Sequence, residues 1–116
     1  MEKKLAIKTR NSTYMLAMDQ IIYLENSGRL VIVHTVSREI RFYGSLARVM
    51  DNLDERFIMC HRSYAINMEC VTMMKEKQIC FSDGSTIFMG RDTYTKTKKR
   101  ILNYLNTKRT QNAEKR

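Results

Sequence analysis

The sequence predicts a mostly β domain, built of antiparallel strands with one short central helix and a C-terminal helix, and three observations carry this prediction. Apolar and polar residues alternate with a period of two in several short runs, the first being Leu5, Ile7 and Thr9 against Lys4, Lys8 and Arg10. The period lengthens to that of a helix in only two places, residues 45 to 53 and residues 92 to 107. Proline is absent, which fits uninterrupted strand ladders.

Each element has its own local reason. After the first strand Asn11-Ser12 supplies turn chemistry, and Thr13-Tyr14-Met15-Leu16-Ala17-Met18 is a hairpin partner. Asp19 is placed as N-cap of one short helical turn through Gln20 and Ile21. Ile22-Tyr23-Leu24-Glu25 reads as a strand, Asn26-Ser27-Gly28 breaks it, and Arg29 to Val36 resumes with β-branched residues that resist helix. Ser37-Arg38 turns the chain into Glu39-Ile40-Arg41-Phe42-Tyr43, with Ile40 and Phe42 on one face. Leu46, Val49, Met50 and Leu53 then recur at i, i+3, i+4 and i+7 behind Ser45, a helix cap.

Further on, Cys70 to Met74 and Gln78 to Phe81 read as strands around the charged turn Lys75-Glu76-Lys77. Asp83-Gly84 is the clearest hairpin signal and predicts a type I′ turn into Thr86-Ile87-Phe88-Met89. In the last helix Asp92 is the expected cap and Ile101, Leu102 and Leu105 the expected apolar patch. Residues 1–107 form the expected domain, and residues 108–116 a basic tail expected to be disordered.

A chain of 116 residues that is 43% hydrophobic can bury one modest core. Its 21 Lys and Arg against 12 Asp and Glu leave a formal charge of +9, which attracts polyanions and makes nucleic acid the leading partner class. The competing reading is a basic surface that serves solubility alone. The charge is uneven: residues 91 to 116 carry nine Lys and Arg and two Asp and Glu, a balance of +7, leaving +2 for the other ninety residues.

Cys60, Cys70 and Cys80 form no CxxC pair and are odd in number, which disfavours a disulfide framework. Two histidines, His34 and His61, without ligand spacing give no metal site, and no cofactor is expected. No apolar run reaches the roughly eighteen residues of a membrane span. The start Met-Glu-Lys-Lys also lacks the apolar segment of a signal peptide, so a cytoplasmic protein is expected.

The stretch that organises the chain is Arg56-Phe57-Ile58-Met59-Cys60-His61-Arg62-Ser63-Tyr64-Ala65-Ile66-Asn67. An apolar run delivers a tip of hydrogen-bond donors, His61, Arg62 and Ser63, and the chain then returns to apolar residues. Upstream stand Ile21-Ile22-Tyr23-Leu24-Glu25 and Ile40-Arg41-Phe42-Tyr43-Gly44-Ser45-Leu46, and downstream a strand ending in Gly90-Arg91. This ordered set, over roughly residues 5 to 105, resembles the LytTR DNA-binding domain. In that family a Phe, an Arg/Asn-Ser pair with an aromatic, then an apolar residue and Asn follow a short helix. The resemblance implies small antiparallel sheets packed side by side in an elongated arrangement. It also implies transcriptional regulation through double-stranded DNA, as the output domain of a bacterial two-component response regulator or as a stand-alone regulator.

A sheet protein without a recognition helix reads major-groove base edges when loops and strand ends project long side chains there. The resemblance singles out three such places. Arg91 and Arg62 are the first candidates for base contact, since a guanidinium pairs in bidentate fashion with guanine O6 and N7. For Arg91 the competing reading is a salt bridge to Asp92 or another helix carboxylate, and Arg62 suits a phosphate as well as a guanine. His61 and Ser63 are candidate phosphate donors, with a neutral His61 bonded to a nearby carbonyl as the alternative. The loop Asn26-Ser27-Gly28-Arg29 departs from the family pattern, being shorter than in some members and lacking histidine. Arg29 is its candidate base contact, with Asn26 and Ser27 as candidate phosphate contacts beside it, either of which is the alternative base contact in its place. Arg41 and Lys96, with Arg38 and Lys99, are candidate phosphate contacts or solvated charges.

Two other classes compete. An enzyme would need His61, Ser63 and an acid as a triad, but no Gly-x-Ser-x-Gly turn or glycine-rich phosphate loop is present, so no catalysis is expected. A protein-interaction module that sequesters or pairs with a related regulator would use methionines such as Met15, Met18, Met73 and Met74 as an adaptable surface, where core filling is the alternative. The chain carries no receiver or acidic phosphoacceptor cluster, and so fits a stand-alone regulator or an excised domain. Paired direct repeats, with self-association on the DNA, are the expected target. Cys60 adjoins the tip, so its oxidation would disturb contact there unless the thiol is buried.

Overall fold

Alternation at the N-terminus produces strand β1 (Lys4–Lys8), whose Leu5 and Ile7 are buried while its lysines face solvent. The structure is a computed structural model that describes residues 3–114, with side chains described as far as residue 107. It divides into two compact units, Met1–Cys70 and Val71–Arg116.

In the first unit β1 pairs antiparallel with β2 (Thr13–Ala17), setting Leu5 opposite Leu16. A five-stranded antiparallel sheet follows, made of β3 (Ile21–Ser27), β4 (Leu30–Thr35), β5 (Glu39–Tyr43), β6 (Phe57–His61) and β7 (Tyr64–Asn67). Its strand order is β5-β4-β3-β7-β6. Helix α1 (Leu46–Met50) lies between β5 and β6, capped as predicted by Ser45, whose hydroxyl accepts from the Arg48 N–H at 3.2 Å.

Register explains the core. Leu24 pairs with Val33, which pairs with Ile40, and on its other side Leu24 pairs with Ala65, which pairs with Met59. This row faces Leu5, Ile7, Leu16, Leu46, Val49, Leu53 and Phe57 in one apolar cluster. A one-residue slip of β3 would carry Glu25 into that cluster in place of Leu24, so the register is strongly specified.

The second unit is a three-stranded antiparallel sheet, β8 (Val71–Lys75), β9 (Gln78–Phe81) and β10 (Thr86–Phe88), followed by helix α2 (Arg91–Glu114). Its buried side chains include Ile79, Phe81, Ile87, Thr97 and Ile101. The mostly β class with small antiparallel sheets and two helices is therefore the one the sequence predicted.

Several local expectations are corrected. The short helical turn is Met18–Gln20 rather than Asp19 to Ile21, because the chain turns one residue earlier and buries Met18. Its supporting side chain is Gln20, whose Oε1 accepts from the Ala17 N–H at 3.4 Å. At Asp83-Gly84 the hairpin is right and the turn type is not. Only Gly84 has positive φ, at 89°, and Phe81 N–H donates to Ser85 O at 2.9 Å around a three-residue loop.

The two-residue turn with both central φ positive is Glu76-Lys77, at 52° and 66°, between the paired Lys75 and Gln78. Helix α2 begins at Arg91, and Asp92 lies in its first turn, where a carboxylate complements the helix dipole. The inward stripe of α2 is Thr97 and Ile101 with half-buried Thr93, Tyr94 and Tyr104, whereas Leu102 and Leu105 are exposed at 44% and 38%. Helical backbone continues past residue 107 to Glu114; the side chains of the expected tail, and residues 115 and 116 altogether, lie outside the described residues.

Asn67, the last residue of β7, is 1% exposed. Its Nδ2 donates to Ile21 O at 2.9 Å and to Met18 O at 3.4 Å, and its Oδ1 accepts from Glu69 N–H at 2.9 Å. One side chain thus joins the start of β3, the turn before it and the end of β7. Asn67→Ala removes the bonds at Ile21 O and Glu69 N–H, whereas Met18 O keeps its bond from Ile21 N–H and Ile21 O keeps only the weak Cys70 thiol at 3.8 Å; a buried group left without a good partner costs roughly 1–3 kcal/mol. We expect urea unfolding of this variant to show a loss of at least about 2 kcal/mol. A loss below about 0.5 kcal/mol, the range of neutral surface changes, would contradict the assignment.

Candidate nucleic-acid interface

Two hairpin ends lie side by side at one end of the five-stranded sheet. The β3–β4 turn is Gly28-Arg29, between the paired Ser27 and Leu30. Gly28 has φ +62°, the first central position where a type II′ turn calls for glycine. The β6–β7 turn is Arg62-Ser63, between the paired His61 and Tyr64. Because β3 neighbours β7, with Glu25 opposite Tyr64, the two turns are adjacent, and the Asn26 N–H donates to Ser63 O at 2.8 Å.

The structure brings Arg29 and Arg62 to this end, both exposed, and among the described residues neither has an ion-pair partner. Arg29 is fixed by its backbone, since its carbonyl accepts from Gly44 N–H at 3.1 Å, while its side chain remains in solvent. A register shift in the β6–β7 ladder falls between Met59 and His61, which makes Cys60 the extra residue. Its thiol donates to Tyr64 O at 3.6 Å and is half-buried.

At His61 the Ser63 backbone N–H donates to Nδ1 at 3.2 Å. A nitrogen that accepts carries no proton, so the neutral ring holds its proton on Nε2. That is a different bond from the ring-to-carbonyl alternative, and it leaves an N–H to offer outward. Ser27 is exposed and Ser63 half-buried at the same sheet end. Asn26 is turned differently: it shares the core face with Val31 and Phe42, and its Oδ1 is buried without a hydrogen-bond partner among the described residues.

The outer face of the sheet carries an arrangement that the sequence did not disclose. His34 Nε2 lies 2.7 Å from Glu25 Oε1, His34 Nδ1 lies 3.5 Å from Glu39 Oε1, and Arg41 donates to Glu39 Oε2 at 3.2 Å. The His34 ring stacks on Tyr23 at 4.1 Å between centroids, Tyr23 meets Tyr64 at 6.4 Å, and Tyr64 meets His61 at 6.4 Å. A row of rings and carboxylates therefore stands behind the tip. Its only sequence signal is that Tyr23, Glu25, His34, Glu39 and Arg41 fall at alternate strand positions, which become neighbours once the register is known. Arg56, at the start of the organising stretch, is held by Asp54 at 3.0 Å and Glu69 at 3.9 Å, which makes it structural.

In the second unit Arg91 is the first residue of α2 rather than the last of a strand, and β10 ends at Phe88. Gly90 precedes it, and the Gly90 carbonyl accepts from Tyr94 N–H at 2.9 Å. Arg91 is exposed, and among the described residues it makes no ion pair with Asp92 or with another helix carboxylate. Lys96 is exposed on the same helix. Neither helix is long and apolar enough, among the described residues, to cross a membrane.

Small antiparallel sheets with basic hairpin ends, and arginines free to reach out, define a class of protein that reads nucleic acid without a recognition helix. The family model of the LytTr DNA-binding domain matches residues 11–102, and the chain belongs to that family. It is 37% identical over 82 residues to accessory gene regulator protein A of Staphylococcus epidermidis, a match covering 67% of this chain and 34% of that protein. The same protein of Staphylococcus aureus is 32% identical over 83 residues, covering 62% of this chain and 34% of the relative. The chain thus spans about a third of the length of the curated relatives it matches. A solved LytTr DNA-binding domain from Bacillus cereus has the same fold, with a TM-score of 0.70 over 88% of this chain and 98% of that one at 18% identity.

The His61 tautomer is directly measurable. In ¹⁵N-resolved NMR of the imidazole under alkaline conditions, we expect the protonated nitrogen to be Nε2. A neutral ring protonated at Nδ1 would show that the Ser63 bond is not made.

Proposed function

We propose that this chain binds double-stranded DNA sequence-specifically in the major groove, as the output domain of a transcriptional regulator. The observation that carries this reading is the adjacency of the β3–β4 and β6–β7 turns, tied by the 2.8 Å bond between Asn26 and Ser63, each presenting an exposed arginine. Arg62 and Arg29 are the base readers of the first unit and Arg91 that of the second, since guanidinium forks match guanine edges. His61, through Nε2, with Ser63 and Ser27, donates to phosphates that fix the register. Arg41 and Lys96 add charge to the backbone contact, and Asn26, whose Oδ1 is inward, contributes there through its amide nitrogen.

Membership of a DNA-binding family supports this reading, and so do relatives named as gene regulators. The DNA-binding domain is residues 1–107, and residues 108–116 add a basic extension that attracts the duplex without reading it. The protein acts in the cytoplasm and without catalysis. One copy binds weakly, and two copies on neighbouring direct repeats bind more tightly through mutual contact or DNA bending.

Duplexes selected from a random pool supply the target for the test, with binding followed by fluorescence anisotropy across a salt series. Arg62→Ala and Arg91→Ala are each expected to cost about 1–3 kcal/mol and to relax preference at one base position. Lys96→Gln is expected to weaken all sequences alike and to flatten the salt dependence by about one in log–log slope. Unchanged affinity and preference in both arginine variants, with circular dichroism intact, would overturn the proposal. Equal affinity per copy for one repeat and for two would remove the paired-site part alone.

A further inference from the structure

Beyond the arginines of the two hairpin ends, the first unit carries a basic hollow to which that reading gives no complete role. It lies where the β1–β2 turn approaches the end of β5, has a volume of about 600 Å³, and is lined among others by Lys8, Arg10, Asn11, Leu30, Arg41 and Tyr43. Three of these are cations, and among the described residues no carboxylate lines the hollow. Arg41 is partly engaged by Glu39 at 3.2 Å, but among the described residues Lys8 and Arg10 have no ion-pair partner, and both are exposed. Tyr43 is 81% exposed, the largest exposure among the large hydrophobic side chains of the described residues. Cations around an exposed aromatic, with an amide beside them, suit a phosphodiester and its sugar better than an apolar ligand.

The place of the hollow says which phosphodiester. Tyr43 is paired with Leu30, and Gly44 N–H donates to Arg29 O, so the hollow adjoins the β3–β4 turn at the same sheet end as the tip. From the β6–β7 turn to β5 the strand order gives three to four inter-strand steps. At about 4.8 Å each, these span roughly 14–19 Å. A turn of duplex measures about 34–36 Å, so a duplex lying along this row of strand ends passes the hollow about half a turn from Arg62.

We infer that this hollow holds a backbone phosphate of the same duplex, about half a turn beyond the bases read at Arg62, with Lys8 and Arg10 as its principal donors and Tyr43 against the sugar. The inference rests on the DNA-binding reading above and extends its footprint to the β1–β2 hairpin. The hollow contributes affinity without sequence preference, because phosphates are the same at every step.

The test uses the full 116-residue chain and the selected duplex. In Lys8→Gln/Arg10→Gln, the log–log salt slope is expected to fall in magnitude by about one to two, with base preference unchanged. Trimming about five base pairs, half a turn, from the duplex end nearest the hollow should weaken the wild-type protein and leave the double variant unaffected. Circular dichroism and measurable binding of the double variant to the untrimmed duplex show that it is folded, so the comparison reads contact and not stability. An unchanged slope together with an unchanged response to trimming, while Arg62→Ala loses binding, would overturn the hollow and leave the DNA reading standing. If Arg62→Ala, Arg91→Ala and the double variant all left binding unaltered, both readings would fall together.

Discussion

The first unit depends on the hydrogen bonds made by one buried amide. Asn67 bonds backbone groups at three points, adding to the Ile21 N–H already on Met18 O, so the turn before β3, the first residue of β3 and the exit from β7 are tied by a single group. Burying an amide is unfavourable unless its polar atoms find partners, and here both its oxygen and its nitrogen do. The pairing of β3 with β7 follows, and with it the adjacency of the two hairpin ends that carry Arg29 and Arg62. The asparagine that closes the organising stretch is therefore a positioning group several residues from the solvent it indirectly serves.

Rigid strand ends explain how short turns can present long side chains. The β3–β4 and β6–β7 turns have two residues each, both flanked by paired strands and cross-linked through Asn26 and Ser63. Little backbone freedom remains at the base of either arginine, so the ordering cost on contact falls mainly on the side chains. The rings of Tyr64 and Tyr23 behind His61 add a second support, since flat side chains in mutual contact limit how far the imidazole can swing.

Much of this was legible in the sequence because period-two patterning reports burial directly. Leu5 and Ile7, Ile40 and Phe42, and the Ser45-capped α1 lie as their patterns imply. The misreadings share a cause, in that local propensity was overridden by what had to be buried. Met18 draws the short turn one residue earlier than Asp19 would, and Thr97 rather than Leu102 faces inward on α2. The Glu76-Lys77 turn has no glycine or asparagine to announce its positive φ values, and the β8–β9 pairing imposes them. The candidate site was legible in its residue types and in its organising stretch. The outer row from Arg41 to His34, Tyr23 and His61 was not, because neighbours across strands are invisible until register is fixed.

The bond at His61 also gives one ring two jobs. Nδ1 takes the Ser63 N–H and so acts as a latch across the two-residue turn, while Nε2, on the other edge, keeps the proton. A ring held through one nitrogen has fewer orientations left to lose when the other is engaged, so preorganisation at this corner comes from the backbone of the turn itself.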